Sequence, residues 1–230
     1  MIPTMQSAYD IAGQGQAATR HRVLRNTYWL LALSMIPTVL GAFVGVQLHM
    51  VNLFSGGLGM LLFMAVAFGF IFAIEKTKDS AIGVFVLLGF TFFMGLMLTP
   101  ILTRTLGYSN GAELIATAFG GTAAVFAVMA SWATVSKRDF SMMGKWLFAG
   151  VIVILLASVA NIFFQIAMLQ IVISVMAIGI FSAYILYDVQ QVINGGETNY
   201  IRATLSIYLD VYNIFVNLLA LLGIGGGSRD

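Results

Sequence analysis

Apolar residues fill this chain in long uninterrupted runs. Charge-free intervals cover 26–74, 80–103, 114–136 and 146–187, and a fifth, 203–228, is broken only by Asp210. A helix needs about 20 apolar residues to cross a hydrocarbon core about 30 Å thick, so the first and fourth intervals hold two helices each and the others one. The polar, glycine-containing stretch Gln47, His49, Asn52, Ser55, Gly56 and Gly57 divides the first interval; Asn161, Gln165 and Gln170 divide the fourth. The pattern predicts seven spans, at roughly 28–49, 57–75, 81–102, 114–135, 146–164, 168–190 and 203–224.

Composition removes the alternatives. Of 230 residues, 60% are hydrophobic and 9% charged, where a soluble domain carries about 25% charged residues. That excludes an ordinary water-soluble globule, a disordered regulator and a nucleic-acid binder; the fold class is an all-α integral membrane protein in contact with membrane lipid. The net charge of +2 reflects a few Lys and Arg at segment ends. Without cysteine there is no disulfide, thiolate metal site or Cys nucleophile. Placing the N-terminus in the cytoplasm puts nine basic residues on that side: Arg20, Arg22, Arg25, Lys76, Lys78, Lys137, Arg138, Lys145 and Arg202. Only Arg104 and Arg229 fall on the other, so the positive-inside rule gives N-in, C-out. Residues 1–25 read as a mobile cytoplasmic tail, 26–224 as the transmembrane domain and 225–230 as a short C-terminal tail. An odd number of spans without an internal repeat argues against a simple inverted-repeat transporter.

In lipid, helices associate through close backbone approach and polar contacts. Gly41 with Gly45, and Ala116, Gly120 and Ala124, offer small-residue faces at four-residue spacing, while Pro37 and Pro100 should each kink a span. Two acids stand where the bilayer makes them expensive. Asp210 lies about 12 Å along the last span and Asp188 in the final turns of the sixth; an Asp at mid-membrane costs about 2.5–3.5 kcal/mol on insertion scales. Arg202, Ser206, Asp210, Asn213 and Asn217 share one helical face, as do Tyr184, Asp188 and Gln191. Two polar stripes centred on acids suit an ion or proton pathway; stripes that only tie helices together are the structural alternative. If Asp188 and Asp210 meet, both cannot ionise cheaply, so they share a proton, and alkaline pH should loosen the contact between the last two spans. As a metal site the pair is weak. Two carboxylates supply at most four of the six to eight oxygens calcium takes, which suits passage of a permeant ion better than storage, and no tightly bound cofactor is expected.

His49 has no second ligand nearby, His21 sits in the basic tail, and the run after Asp188 does not match a calcium-loop spacing. Gly195-Gly196-Glu197 lacks a P-loop lysine and reads as the last turn, with Glu197 and Arg202 a solvated pair or a gate. The stretch Gly195-Gly-Glu-Thr-Asn-Tyr-Ile-Arg-Ala-Thr, continuing through Tyr208-Leu-Asp-Val-Tyr-Asn-Ile-Phe-Val, resembles the transmembrane Bax inhibitor motif family, and Val23-Leu-Arg-Asn-Thr-Tyr resembles its bacterial YccA branch. The resemblance implies a last helix at the centre of six others and a pH-sensitive calcium leak with its acidic pair at Asp188 and Asp210. It also implies a bacterial inner-membrane location and association with a membrane AAA+ metalloprotease, as modulator and possibly as substrate. The family's pH-gated members carry a basic latch on the second helix; 57–74 has none, and Lys76 and Lys78 are the nearest candidates.

The leading expectation is therefore a non-enzymatic, proton-controlled cation leak, and the alternative a non-channel modulator of the protease. A third reading, an intramembrane aspartyl protease, finds two acids on consecutive helices but Tyr208-Leu209 before the second where those enzymes have Gly-x-Gly, and no Pro-Ala-Leu segment after it.

Overall fold

The computed structural model describes the backbone of residues 5–50 and 56–226 and the side chains of 19–50, 59 and 61–226. Asn52 and Ser55 of the expected first turn, and 227–230 of the expected C-terminal tail, lie outside the described residues. Eight helices make up the rest: α1 (Met5–Gln47), α2 (Gly56–Thr77), α3 (Ala81–Met97), α4 (Thr99–Leu106), α5 (Gly111–Val135), α6 (Met143–Phe164), α7 (Ala167–Asn194) and α8 (Tyr200–Gly226). Among the described residues, α5, α6, α7, α8 and the Thr19–Gln47 part of α1 are long and apolar enough to cross a membrane, and the bent pair α3 and α4 passes the same test taken together, as a broken span or a re-entrant loop. The expected second span, 57–75, coincides with α2.

Two boundaries depart from the sequence reading. The expected N-terminal tail is helical from Met5. Extending an existing helix is far easier than nucleating one, and Ala8, Ala12, Ala17 and Ala18 favour extension despite Gly13 and Gly15. The third expected span is broken at Leu98, and its halves meet at 40°. The cause is Pro100, which supplies no amide hydrogen and sits at the start of α4, where a helix has no use for one. Pro37 lies inside the continuous α1.

The last helix is the hub. α8 packs on α7, α5 and α1 and touches α2, α3 and α4 at its flanks, and Ile207, Tyr208, Ile214 and Leu219 on it are fully buried. The sixth neighbour expected around it is displaced: α6 leans on α7 and buries only Leu147 and Asn161, leaving Trp146 and Phe163 about four-fifths exposed for lipid. Outward apolar surface costs nothing in hydrocarbon, so interior packing has to come from shape. The tightest case is α1 against α3. A Cβ on Gly41 would overlap the Phe92 carbonyl oxygen, and one on Gly95 the Thr38 carbonyl oxygen, so only hydrogen fits where the two backbones meet. The other small-residue face turns out differently. Ala116, Gly120 and Ala124 are exposed and nothing lies within 4 Å of a Cβ at Gly120; Leu114, Ala118 and Thr122 are the inward residues of α5.

Side chains fasten the ends. Gln165, left-handed at φ 51°, turns α6 into α7, and Asn161 Oδ1 accepts the Ile166 amide at 2.9 Å. The opposite end holds most of the Lys and Arg. There Asn199 caps α8, accepting the Ile201 amide at 2.9 Å, and donates across to the Lys78 carbonyl at 3.0 Å and to Asp79 Oδ1 at 2.9 Å. Buried Gln190 on α7 holds the α5–α6 loop from both sides: its Oε1 accepts the Phe140 amide at 2.7 Å and its Nε2 donates to the Arg138 carbonyl at 2.6 Å. Gln190→Leu keeps the bulk and leaves both loop groups unpaired, so it is expected to cost about 1–3 kcal/mol, read as a lower thermal midpoint of the detergent-solubilised protein.

Candidate functional site

Asp188 and Asp210 come together. Asp188 stands late in α7, where the helix face Tyr184, Asp188, Gln191 turns toward α8, and Asp210 projects from the middle of α8, 5% exposed. Their carboxyls are within hydrogen-bonding reach of each other. Asp210 Oδ2 is fully buried and receives no N–H or O–H donor from any other described group. An ionised carboxylate only accepts, so a hydrogen bond between two of them requires a proton on one. Removing that proton leaves two like charges side by side, with Asp210 shut away from water.

Above the pair is a polar vestibule of about 270 Å³ at the Lys/Arg-rich end, lined by Tyr187, Asp188, Gln191, Gly196, Glu197, Arg202, Ala203 and Ser206. Asp188 belongs to both features: it faces the vestibule and touches Asp210 behind it. The mouth is built by the α7–α8 turn. Gly195 is left-handed at φ 80°, which folds the chain back so that the Gly196 and Glu197 amides both donate to the Gln191 carbonyl, at 2.8 and 3.0 Å. A side chain at Gly196 would overlap Gln191 Oε1.

Charges at the mouth form a chain. Arg202 Nε lies 3.5 Å from Glu197 Oε2 and 3.5 Å from Glu75 Oε2, and Lys78 pairs with Glu75. The candidate gate pair Glu197–Arg202 is thus present and is tied to α2. Lys76 is not in it: its ammonium sits over the Phe72 ring, 5.4 Å from the centroid, because it points away from the face of α2 that carries Glu75. Lys78, the other latch candidate, reaches the network through Glu75. The polar stripe on α8 is divided. Ser206 and Arg202 line the vestibule, Asp210 is buried behind it, and Asn213 and Asn217 donate to the Leu209 and Asn213 carbonyls of their own helix, both at 2.8 Å. Spacing places all five on one face, but an amide one turn from a carbonyl satisfies itself locally.

Glu75 and Asn199 escaped the sequence reading. Glu75 sits at the charged end of an apolar run and pairs with a residue far along the chain; Asn199 lies in the quoted 195–204 stretch, where an Asn just before a helix is a cap signal. Among the described residues no cluster of three His, Asp or Glu could hold a metal, so the two carboxyls would meet a divalent ion with at most four oxygens, the rest coming from water and amides.

A multi-pass helical membrane protein, with an acidic pair buried beside a polar vestibule, is the class this architecture defines. The family model "Inhibitor of apoptosis-promoting Bax1" matches residues 20–227, and the chain belongs to this Bax inhibitor family. It is 40% identical to the "Modulator of FtsH protease YccA" of Escherichia coli K12, over 91% of this chain and 92% of that protein. The same identity and coverage hold for the "Inner membrane protein YccA" of E. coli O6:H1. An "Uncharacterized membrane protein" of Vibrio cholerae is 35% identical over 89% of this chain and 90% of its own length.

Proposed function

We propose that this chain is an inner-membrane modulator of an FtsH-type AAA+ protease, non-enzymatic itself, crossing the bilayer seven times with its N-terminus in the cytoplasm. The supporting observation is the 40% identity to the E. coli modulator along nearly the whole of both chains. The seven spans are the six long segments together with α2. The orientation rests on the basic end, where Asn199 joins the α7–α8 turn to the α2–α3 loop and Gln190 joins α7 to the α5–α6 loop. Tagged full-length protein, solubilised from membranes in mild detergent, is expected to co-purify the host's FtsH-type protease and to change its rate of membrane-substrate degradation. Absence of both effects would remove this reading.

A second reading has its own support: proton-controlled passage of a cation such as calcium. Contact between Asp188 and Asp210 directly behind the vestibule favours it, since the shared proton ties α7 to α8 and its loss would part them and open an anionic path. Weak, incomplete coordination suits transit. Other charged and titratable groups facing the pair are Tyr184 and Tyr187 on α7, Glu197 on the turn and Arg202 on α8. The same contact would serve an aspartyl dyad, but the residues before Asp210 are Tyr208-Leu209; the reading adopted is a switch. The two roles are compatible.

A further inference from the structure

On the other side of α8 from the vestibule, an apolar groove of about 840 Å³ opens between α1 and α5. Its floor is α8, through Tyr208, Val211, Tyr212 and Phe215. Its walls run along α1 from Tyr28 to Ala42, about 21 Å at about 1.5 Å per residue, and along α5 from Ala112 to Thr134. Tyr28, edge-on to Phe126 at 6.0 Å, bridges the two walls near the basic end.

Most of the hydroxyls in the lining are already engaged. Thr38 Oγ1 donates to the Ser34 carbonyl at 2.8 Å, and it lies 2.9 Å from Tyr208 Oη. Tyr212 Oη donates to the Met94 carbonyl at 3.2 Å. Thr122 and Thr134 bond back to the Ala118 and Ala130 carbonyls, both at 2.7 Å. The groove therefore presents hydrocarbon to hydrocarbon. Its length exceeds one leaflet, about 15 Å as half of a 30 Å core, so it accepts a full acyl chain.

The ends differ in charge. At the basic end, exposed Arg25 stands three residues ahead of Tyr28 and seven ahead of Ala32, on the groove face of α1, and Lys137 follows the end of α5 just beyond Thr134. Neither is in an ion pair among the described residues. Trp29 and Trp132 beside them are 73% and 55% exposed, as aromatic side chains at headgroup level are. The far end carries Arg104 and Glu113, which offset each other.

We propose that the α1–α5 groove binds one anionic phospholipid from the leaflet at the basic end, with an acyl chain along Tyr208–Phe215 and the phosphate between Arg25 and Lys137. This needs only the fold and is independent of either reading of function. It is tested by native mass spectrometry of the delipidated full-length protein, titrated with phosphatidylglycerol or with phosphatidylcholine. One phosphatidylglycerol per chain should be retained with a preference of about tenfold, since two basic side chains near a membrane surface contribute a few-fold each. Ala123→Trp, which fills the groove, should abolish retention of that lipid; Ala127→Phe serves if the first variant does not fold. Arg25→Gln with Lys137→Gln on the surface should leave the groove and reduce the preference to near unity. Equal retention of the two lipids by the native protein, or retention indifferent to the groove-filling variants, would overturn the proposal. So would loss of protease co-purification in Ala123→Trp with lipid retention intact, which would give the groove to a partner's helix.

Discussion

Asp210→Asn should keep the α7–α8 contact and abolish its dependence on pH. The Asn amide can donate to the Asp188 carboxylate where the native pair uses a shared proton, so the hydrogen bond survives and the titration disappears. On the switch reading, the folded pair holds a proton that separated, hydrated carboxyls release. The folded state then binds more protons than the unfolded one, and stability is greatest at low pH and falls as the shared proton leaves. One proton is worth up to about 1.4 kcal/mol per pH unit. The thermal midpoint in detergent should therefore decline from pH 5 to pH 8 for the native protein and stay flat for the variant. Calcium efflux from proteoliposomes should rise over the same interval in the native protein alone. Every other titratable group is common to the two proteins and cancels in the comparison. A parallel decline in the two proteins would mean that the acids are not the linked groups.

Gly95→Leu should lose the folded bundle altogether. The α1–α3 contact is backbone on backbone, and a Cβ at Gly95 would overlap the Thr38 carbonyl oxygen and crowd the Ala42 amide at 3.0 Å. Even Gly95→Ala forces the helices apart, at a cost of about 1–3 kcal/mol of overpacking. A leucine adds a branch that no rotamer can place, and in lipid no hydrophobic gain offsets the lost contact. Gly120→Leu is the control, since that position faces open space. Size-exclusion profiles of detergent extracts should show a monodisperse peak for the native protein and Gly120→Leu, and aggregate for Gly95→Leu. A normal peak for Gly95→Leu would refute the close approach.

The long apolar helices were legible because lipid writes its demand into composition: twenty apolar residues without charge leave little freedom, and helix ends followed to within a few residues, except that α1 begins at Met5. Orientation within the bundle was less so. A helix in hydrocarbon is apolar on every side, so the small residues Ala116, Gly120 and Ala124 could not be told from a packing face, and Gly41 could be recognised only as a candidate. The acidic pair was readable because its cost singles it out, and the structure brings the two together. Asn213 and Asn217 share the stripe by periodicity, yet their amides bond to their own helix. Glu75, Asn199 and Gln190 act through partners distant in the chain, and no local pattern announces such pairings. Nor does local pattern reveal that α6 would lean on α7.

The proposed switch turns on a proton held between Asp188 and Asp210, and infrared difference spectroscopy of the membrane-reconstituted protein observes it directly. At pH 7 the native protein should show the carbonyl stretch of one protonated carboxyl that vanishes in Asp210→Asn and shifts in Asp188→Asn. A spectrum at pH 7 with only ionised carboxylates, identical in carboxyl content across the three proteins apart from the substituted side chain, would contradict it.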